Sequence, residues 1–401
     1  MIQKQDVFEF VSYKIQSDKK TIYFNYKTNG LDLTEKIILP EEIPSFVEDK
    51  LIGKVLENLH LILGVTYFKM YCQKEIIIPY RLSKEQADFW NTVYTKGLGE
   101  FFYKNKINFL NLINFPFSDE VNISPVDEKR KNRTLIGIGG GKDSIVSVEI
   151  LKKENKEITG FILDSQDTPP QIQIDVAKMM GINYLIVKRE LDSQIFDLKS
   201  TYNGHIPITA IYSFIALLLA VIYDYSSIII PNGKSSNFGN VNYLGTEINH
   251  QWSKSEEFEK LFQKYVKQNI TPNIDFSSNL RPFSELEIAE MFSSHKKYFT
   301  VFSSCNRNFK IIGKVNQKRW CGECAKCAFV FIILAAYLSK DEVVEIFGKN
   351  LLDDPQLISV YQDLSGKGKM KPFDCVGTFD ESRKALKIIK NRGEFDDSKI
   401  I

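Results

Sequence analysis

The sequence has almost no excess of either charge: 52 Lys and Arg stand against 50 Asp and Glu in 401 residues. A chain so balanced exerts no general pull on nucleic acid or an anionic membrane, so any anion it binds must be met by a local cluster. The start, MIQKQDVFEF, lacks the basic and then apolar pattern of a secretory signal. A membrane-spanning run is lacking too. The longest apolar stretch, IPITAIYSFIALLLAVIY (Ile206 to Tyr223), holds Thr209 and Ser213 and stops at Asp224, which reads as a buried core helix. There is no internal repeat and no low-complexity tract. Cysteine is sparse at six residues, and three of these sit in CGECAKC, which suits a reduced compartment and a metal better than a disulfide frame. These absences point to a cytoplasmic protein with no nucleic-acid or membrane partner, and they leave the oligomeric state open. The 43% hydrophobic content suffices for one large core or two to three smaller ones, hence a globular chain of at least two domains.

What is present divides into three parts. Residues 1–130 read as an α+β N-terminal domain. TIYFNYKTNGLDLTEKIIL (Thr21 to Leu39) places two β-prone stretches around Asn29-Gly30, a hairpin signal. Phe46, Val47, Leu51, Ile52, Val55, Leu56, Leu59, Ile62 and Leu63 then fall at helical spacing, and Ser83 with Gln86 makes a capping box for a second helix. FSDEVNISPVDEKRKNR (Phe117 to Arg133) is polar and turn-rich and reads as a linker. Residues 131–300 alternate strands and helices (TLIGIG, DSIVSVEILKKEN, ITGFILDS, PPQIQIDVAKMMG, NYLIVKR, then SSIIIPN), which means βαβ crossovers and a parallel sheet. From about 232 to 340 the chain reads as irregular and polar. Residues 301–401 hold the clustered cysteines, an apolar helix and a loop, KGKMKPFDCVGT.

The stretch LIGIGGGKDS (Leu135 to Ser144) is the first motif with chemistry in it. A Walker loop needs a glycine at 136 and Ser or Thr at 143, but Ile136 and Asp143 stand there. A dinucleotide fingerprint begun by Gly137 and Gly139 fails because Lys142 occupies the place of its third glycine. What remains is strand, Gly139-Gly140-Gly141-Lys142-Asp143-Ser144, helix. Glycines let backbone curl closely around an anion, and the helix start offers free N–H groups, its positive end and the Ser144 hydroxyl: a phosphate site. The bland alternative is a glycine-rich turn. Asp164 ends the second strand, on the carboxyl edge where open α/β sheets bind ligands.

SCNRNFKIIGKVNQKRWCGECAKC sets Cys305 ahead of Cys321, Cys324 and Cys327. Four thiolates with C-x-x-C pairs satisfy a tetrahedral, closed zinc site. An iron–sulfur cluster and four free buried thiols are the rivals.

The glycine loop resembles the PP-loop ATP pyrophosphatase superfamily, whose S-G-G-x-D-S pattern opens a Rossmann-like (HUP-type) sheet; Gly139 replaces the usual Ser, while Gly140, Gly141, Asp143 and Ser144 match. The resemblance implies cleavage of ATP to AMP and pyrophosphate, with the loop amides and Ser144 on pyrophosphate, Lys142 adding a point charge and Asp143 near Mg²⁺. A zinc site like the one read here accompanies the PP-loop in 7-cyano-7-deazaguanine synthase. GLGEFFYKN (Gly97 to Asn105), NGHIPITAI (Asn203 to Ile211), NHQWSKS (Asn249 to Ser255), LRPFSELEIA (Leu280 to Ala289), SCNRNF, WCGECAKCAFVF and KPFDCVGT (Lys371 to Thr378) narrow the match. With GGGKDS, they resemble the UDP-N-acetylmuramoyl-L-alanyl-L-glutamate epimerase family, the MurL group. That resemblance implies ATP-dependent inversion of the terminal L-glutamate of a UDP-linked muramyl dipeptide. Adenylating the carboxylate removes the charge that otherwise opposes loss of the α-proton.

Which residue moves that proton stays open between His250 and Cys375, set against a hydrogen-bonded loop histidine and a small buried cysteine. Cys72 reads as core. Lys254 and Lys371 are candidate carboxylate anchors. Arg281, Arg307 and Arg319 are a candidate diphosphate clamp, or a solvated basic rim. Two other functions share the loop. One is an enzyme like 7-cyano-7-deazaguanine synthase that turns a small carboxylic acid into an amide or nitrile; the other is a non-catalytic nucleotide- or RNA-binding PP-loop protein.

Overall fold

The computed structural model describes residues 6–45, 47, 49–121, 124–166, 168–198, 201–309 and 318–400. Phe46 of the helical series, Asn122 and Ile123 of the linker, and residues 310–317 between the cysteines lie outside these.

The chain opens as a meander. Strand β1 (Val7–Ile15) pairs antiparallel with β2 (Thr21–Thr28), and β2 with β3 (Leu31–Ile38). Asn29 and Gly30 turn the β2–β3 hairpin with φ of 48° and 79°, the two positive values that a type I′ turn needs. The helix Asp49–Leu63 buries Leu51, Val55, Leu59 and Ile62, after which β4 (Glu75–Ile77) runs parallel to β1. Ser83 and Gln86 form the capping box of helix Lys84–Gly97.

Strands β5 (Thr134–Gly137), β6 (Ile158–Asp164) and β7 (Asn183–Glu190) then lie side by side and parallel, while β8 (Ser227–Ile229) joins the other side of β5. A short hairpin, β9 (Val241–Tyr243) and β10 (Thr246–Ile248), stands apart, and β11 (Asp275–Ser277) extends the parallel group beyond β8. The order of the nine-stranded sheet is β11-β8-β5-β6-β7-β3-β2-β1-β4. It is a mixed α/β sheet, mostly parallel, and it runs continuously from the early meander into the later strands through the β3–β7 pair.

Alternating side chains feed two cores. Leu135, Phe161, Leu163 and Ile228 enter a core shared with the N-terminal helices and helix Ile208–Tyr223, whereas Ile136, Ile162 and Ile229 enter a second core with the C-terminal helices. Residues 209–211 and 213–222 are all buried, as expected of a core helix. The run Asp49–Phe68 is long and apolar enough to cross a membrane by length and composition, but 83% of its apolar window is buried inside the protein.

The stretch 232–340 departs from its irregular reading. It holds helices Glu256–Asn269 and Glu285–Ser293 besides β11. The first buries Phe258, Phe262, Tyr265 and Val266 at spacings of four and three, and its polar remainder hides that stripe from a composition reading. The second starts at a capping box of Ser284 and Glu287.

One buried ion pair joins meander to parallel strands. Arg189 on β7 donates from Nε to Glu35 on β3 at 2.6 Å and from Nη2 to Thr66 Oγ1 at 2.8 Å, with both charged side chains 0% exposed. Removing one partner strands a buried charge. Glu35→Ala is therefore expected to cost about 3–5 kcal/mol in urea unfolding, and Glu35→Ala with Arg189→Met clearly less than the two single losses combined. Additive losses would show that the pair does not tie the sheet together.

Candidate active site

β5 has β6 on one side and β8 on the other, so the connections leave in opposite directions and open a crevice at the carboxyl edge. The glycine loop lies in it. Gly140 adopts φ +82°, and a Cβ there would meet Ile172 Cγ2 at 2.9 Å; at Gly139 a Cβ would meet nothing within 4 Å. Gly141 caps helix Lys142–Lys153 without a side-chain hydrogen bond, so the helix start presents its backbone N–H groups uncapped by any side chain. Ser144 Oγ donates to the Gly141 carbonyl at 2.9 Å. The C-terminal part of the chain braces the loop from outside, with the Ser303 N–H donating to the Gly140 carbonyl at 2.9 Å.

Lys142 does not sit as the sequence suggests. Its ammonium lies 2.5 Å from both Asp143 Oδ1 and Glu285 Oε2 and is 2% exposed. Burial opposes its charge, but Asp143 and Glu285 outweigh burial and hold its pKa above the ordinary lysine value. Its charge is spent on carboxylates.

The loop forms one wall of a cavity of about 290 Å³, lined also by Lys254, Ser304, Lys326 and Cys375. A larger cavity of about 450 Å³ beside Trp252 and Lys260 contains none of the loop residues, so size alone does not locate the chemistry.

Opposite the loop stands Cys375. Lys254 Nζ donates to its Sγ at 3.3 Å, His250 Nε2 lies 3.9 Å from the same sulfur, and Lys326 Nζ donates to the Cys375 carbonyl. Burial pushes this thiol up, yet Lys254, His250 and Lys326 outweigh it and hold the pKa well below the usual value, which favours the thiolate form. On its far side His250 shares Nδ1 with Glu100 Oε2, which also lies 3.7 Å from His205 Nδ1. Burial opposes both charges of that pair. His250 is nonetheless raised to about 9 by Cys375 and Glu100, and Glu100 is lowered to about 2 chiefly by His250. His205 is lowered to about 3 by burial and by the neighbouring His250, and is neutral. Glu100, His205 and His250 present donor atoms within 4.8 Å of one another. Lys104 already pairs with Glu100 at 2.5 Å, so the group reads as a hydrogen-bonded relay rather than a cation site.

Cys305, Cys321, Cys324 and Cys327 are unbridged, with all four Sγ atoms within 4.8 Å of one another. Cys321–Cys327 and Cys324–Cys327 separations are 3.6 and 3.5 Å, close to the roughly 3.8 Å edge of a tetrahedron with ~2.3 Å Zn–S bonds. Backbone N–H groups of Glu323 and Cys327 point at Cys321 and Cys324 sulfurs at 3.4 Å. The cluster can bind zinc. It also starts helix Ala325–Ala335, whose first turn carries Lys326 into the cavity.

The other candidates lie elsewhere. Arg281 uses its guanidinium on Glu259, the Gly233 and Lys254 carbonyls and Ser236 Oγ, so it fixes the backbone under Lys254 instead of facing a diphosphate. Arg307 pairs with Glu323 at the surface, and Arg319 bonds the Val301 carbonyl and faces Asp175 at 3.5 Å. The three arginines are not assembled into a clamp, and none lines the cavity. Lys371 donates to the Phe238 carbonyl at 2.9 Å and lies outside the cavity, unlike Lys254. Asp164, one residue past the lining Leu163, accepts the Gln166 N–H at 3.2 Å. Cys72 is buried, and burial raises its pKa to about 12. Glu100, His205, Glu285 and Lys326 were not legible as site residues, although each lies inside a stretch that carries the family resemblance.

An α/β protein with a glycine turn at a helix start and a lysine-paired cysteine on one cavity is what fold and site together define. Two family models match the chain, the MurL N-terminal domain over residues 1–279 and the MurL C-terminal domain over residues 301–401. The chain belongs to the MurL family. Three relatives carry the name UDP-N-acetyl-alpha-D-muramoyl-L-alanyl-L-glutamate epimerase. The one from Micromonospora sp. is 35% identical over 100% of this chain and 90% of that protein. The one from Xanthomonas oryzae pv. oryzae is 37% identical over 87% and 77%, and the one from Salinispora tropica 34% over 100% and 88%.

A thiolate held by Lys254 and His250 should alkylate at acidic pH. An ordinary cysteine of pKa about 8.5 gains reactivity tenfold per unit up to that value. Iodoacetamide labelling of the Cys375 peptide is expected to climb with pH much less steeply than an ordinary thiol does below about pH 8.5, because Lys254 and His250 depress the pKa, and to steepen in Lys254→Met. A wild-type rate that climbs tenfold per unit toward about pH 8.5 would show an ordinary thiol.

Proposed function

We propose that this chain is an ATP-dependent epimerase of a UDP-linked muramyl dipeptide, acting on its terminal L-glutamate in peptidoglycan precursor synthesis. The observation that carries this reading is one cavity lined both by the glycine turn and by Lys254 and Cys375, with His250 Nε2 3.9 Å from the Cys375 sulfur. The names of the relatives supply the substrate. The turn and the start of helix Lys142–Lys153 take the phosphates of ATP in the PP-loop manner, with Ser144 at the first turn. Asp143 is the carboxylate lining the cavity that would hold Mg²⁺. The glutamate carboxylate attacks the α-phosphorus, pyrophosphate leaves, and the acyl-adenylate has lost the charge that opposed deprotonation. The Glu100–His250–Cys375 relay then moves the α-proton from one face, the proton returns on the other, and water releases AMP.

Zinc held by Cys305, Cys321, Cys324 and Cys327 is structural, since four thiolates leave no open position. Bound there, it would fix the segment that braces Gly140 and carries Lys326. Residues 1–130, 131–300 and 301–401 serve as substrate-accommodating, nucleotide-binding and site-completing parts, and the location is cytoplasmic, where ATP is present and thiols stay reduced.

With ATP, Mg²⁺ and the L-glutamate-terminated substrate, AMP and pyrophosphate are expected, and Ser144→Ala or Asp143→Ala should slow their release by on the order of 10²-fold. ADP and phosphate would reject the reading. In D₂O the product glutamate should carry deuterium at its α-carbon, only when ATP is present; an active enzyme that leaves this hydrogen untouched would exclude a carbanion route.

Elemental analysis should find one zinc per chain, and Cys324→Ser should lose both metal and solubility. Iron with a visible absorption band, or no metal, would reject the zinc site.

A further inference from the structure

We propose that Cys375 is a nucleophile that takes the activated glutamyl group as a thioester, and that His250 is the base that then moves the α-proton. This rests on the adenylation step of the reading above, puts Cys375 in place of water as the group that releases AMP, and divides the proton transfer that the reading leaves to the relay as a whole. The geometry separates the two roles. Sγ faces the cavity together with Gly139, Asp143 and Ser144, where a carboxylate activated on the glycine turn would sit, and Lys254 Nζ lies 3.3 Å away to steady charge on the reacting carbonyl oxygen. His250 stands behind the sulfur, with Nε2 3.9 Å from it and Nδ1 fixed by Glu100.

The charges explain why both groups are needed. In the resting site His250 holds its proton because the Cys375 thiolate and Glu100 face it. A protonated imidazole cannot act as a base. Once Cys375 is acylated its negative charge is gone, the imidazolium gives the Nε2 proton to solvent, and Glu100 keeps the ring oriented through Nδ1. Acylation thus makes the base at the moment the substrate needs one. The thiolate attacks the carbonyl carbon of the acyl-adenylate, the bond from that carbon to the phosphate oxygen breaks, and AMP departs with the electron pair. The thioester carbonyl acidifies the α-hydrogen, Nε2 takes that proton, and the enolate takes a proton from water on its other face. Water then splits the carbon–sulfur bond, giving the carboxylate, the thiolate and two protons.

The test is an acid quench of the full zinc-loaded chain during the first turnovers with ATP, Mg²⁺ and the UDP-linked dipeptide, followed by intact and peptide mass analysis. An adduct of substrate mass less one water is expected on the Cys375 peptide, dependent on ATP, released by neutral hydroxylamine and absent in Cys375→Ala. His250→Gln should still form the adduct and accumulate it while α-deuterium exchange falls by about 10²- to 10⁴-fold. Pyrophosphate release and inversion with no adduct in the wild type would overturn the thioester but leave adenylation standing. Wild-type exchange in His250→Gln would overturn the base assignment. Absence of pyrophosphate release with the wild type would instead sink the function on which the inference rests.

Discussion

The pairing of the Cys375 sulfur with positive charge sets the terms for the whole site. Cys375 lies in a partly buried loop, where burial opposes a thiolate, and Lys254, His250 and Lys326 pull its pKa the other way. Each of those cations must in turn be held in place, and the fold supplies the holders. Glu100, on the short helix Gly99–Lys104, orients His250; Arg281 ties down the backbone beneath Lys254; the cysteine cluster begins the helix that carries Lys326. Distant segments thus converge on one residue.

The sheet makes that convergence affordable in strain. The crevice beside β5 receives the glycine turn from one direction and the β8 connection from the other, so the loop is presented by rigid strands with no long excursion of its own. The C-terminal segment closes over it through the Ser303–Gly140 hydrogen bond. A glycine at 140 is required twice, by its positive φ and by Ile172 2.9 Å from where a side chain would begin; at 139 neither constraint applies. A side chain as small as serine would therefore fit at 139.

What the sequence shows and what it conceals follow from the range of the interactions. The Asn29-Gly30 hairpin, the Ser83–Gln86 box, the strand–glycine–helix unit and the spacing of Cys321, Cys324 and Cys327 are all local, and a reader of adjacent residues finds them. The relay is not local: Glu100 meets His250 across 150 residues and His250 meets Cys375 across 125. No periodicity records such a pairing. A weaker signal was present, since Glu100 sits between Gly99 and the paired Phe101 and Phe102, and His205 precedes Ile206 and Pro207; a polar group set among buried apolar neighbours needs a partner. The arginines show the converse. Residue type suggested a diphosphate clamp, but guanidinium donors serve backbone carbonyls, hydroxyls and carboxylates equally well, and only the fold shows that Arg281 had already found five such bonds.

Charge pairing also bears on why a divalent cation belongs with the nucleotide in this reading. Lys142 is neutralised by Asp143 and Glu285, His250 by Glu100, and Lys254 by Cys375. Lys326 gives its ammonium to a neutral carbonyl, and the helix start adds roughly half a positive charge. A triphosphate entering the cavity carries more negative charge than these two can balance, and it would meet Asp143 in the lining. Without a further cation the phosphates and that carboxylate repel each other across a partly buried space, where screening is weak. A Mg²⁺ bound there would reverse the sign of that encounter: Asp143 would serve as a ligand, and the carboxylate that would exclude the nucleotide alone would favour its metal complex.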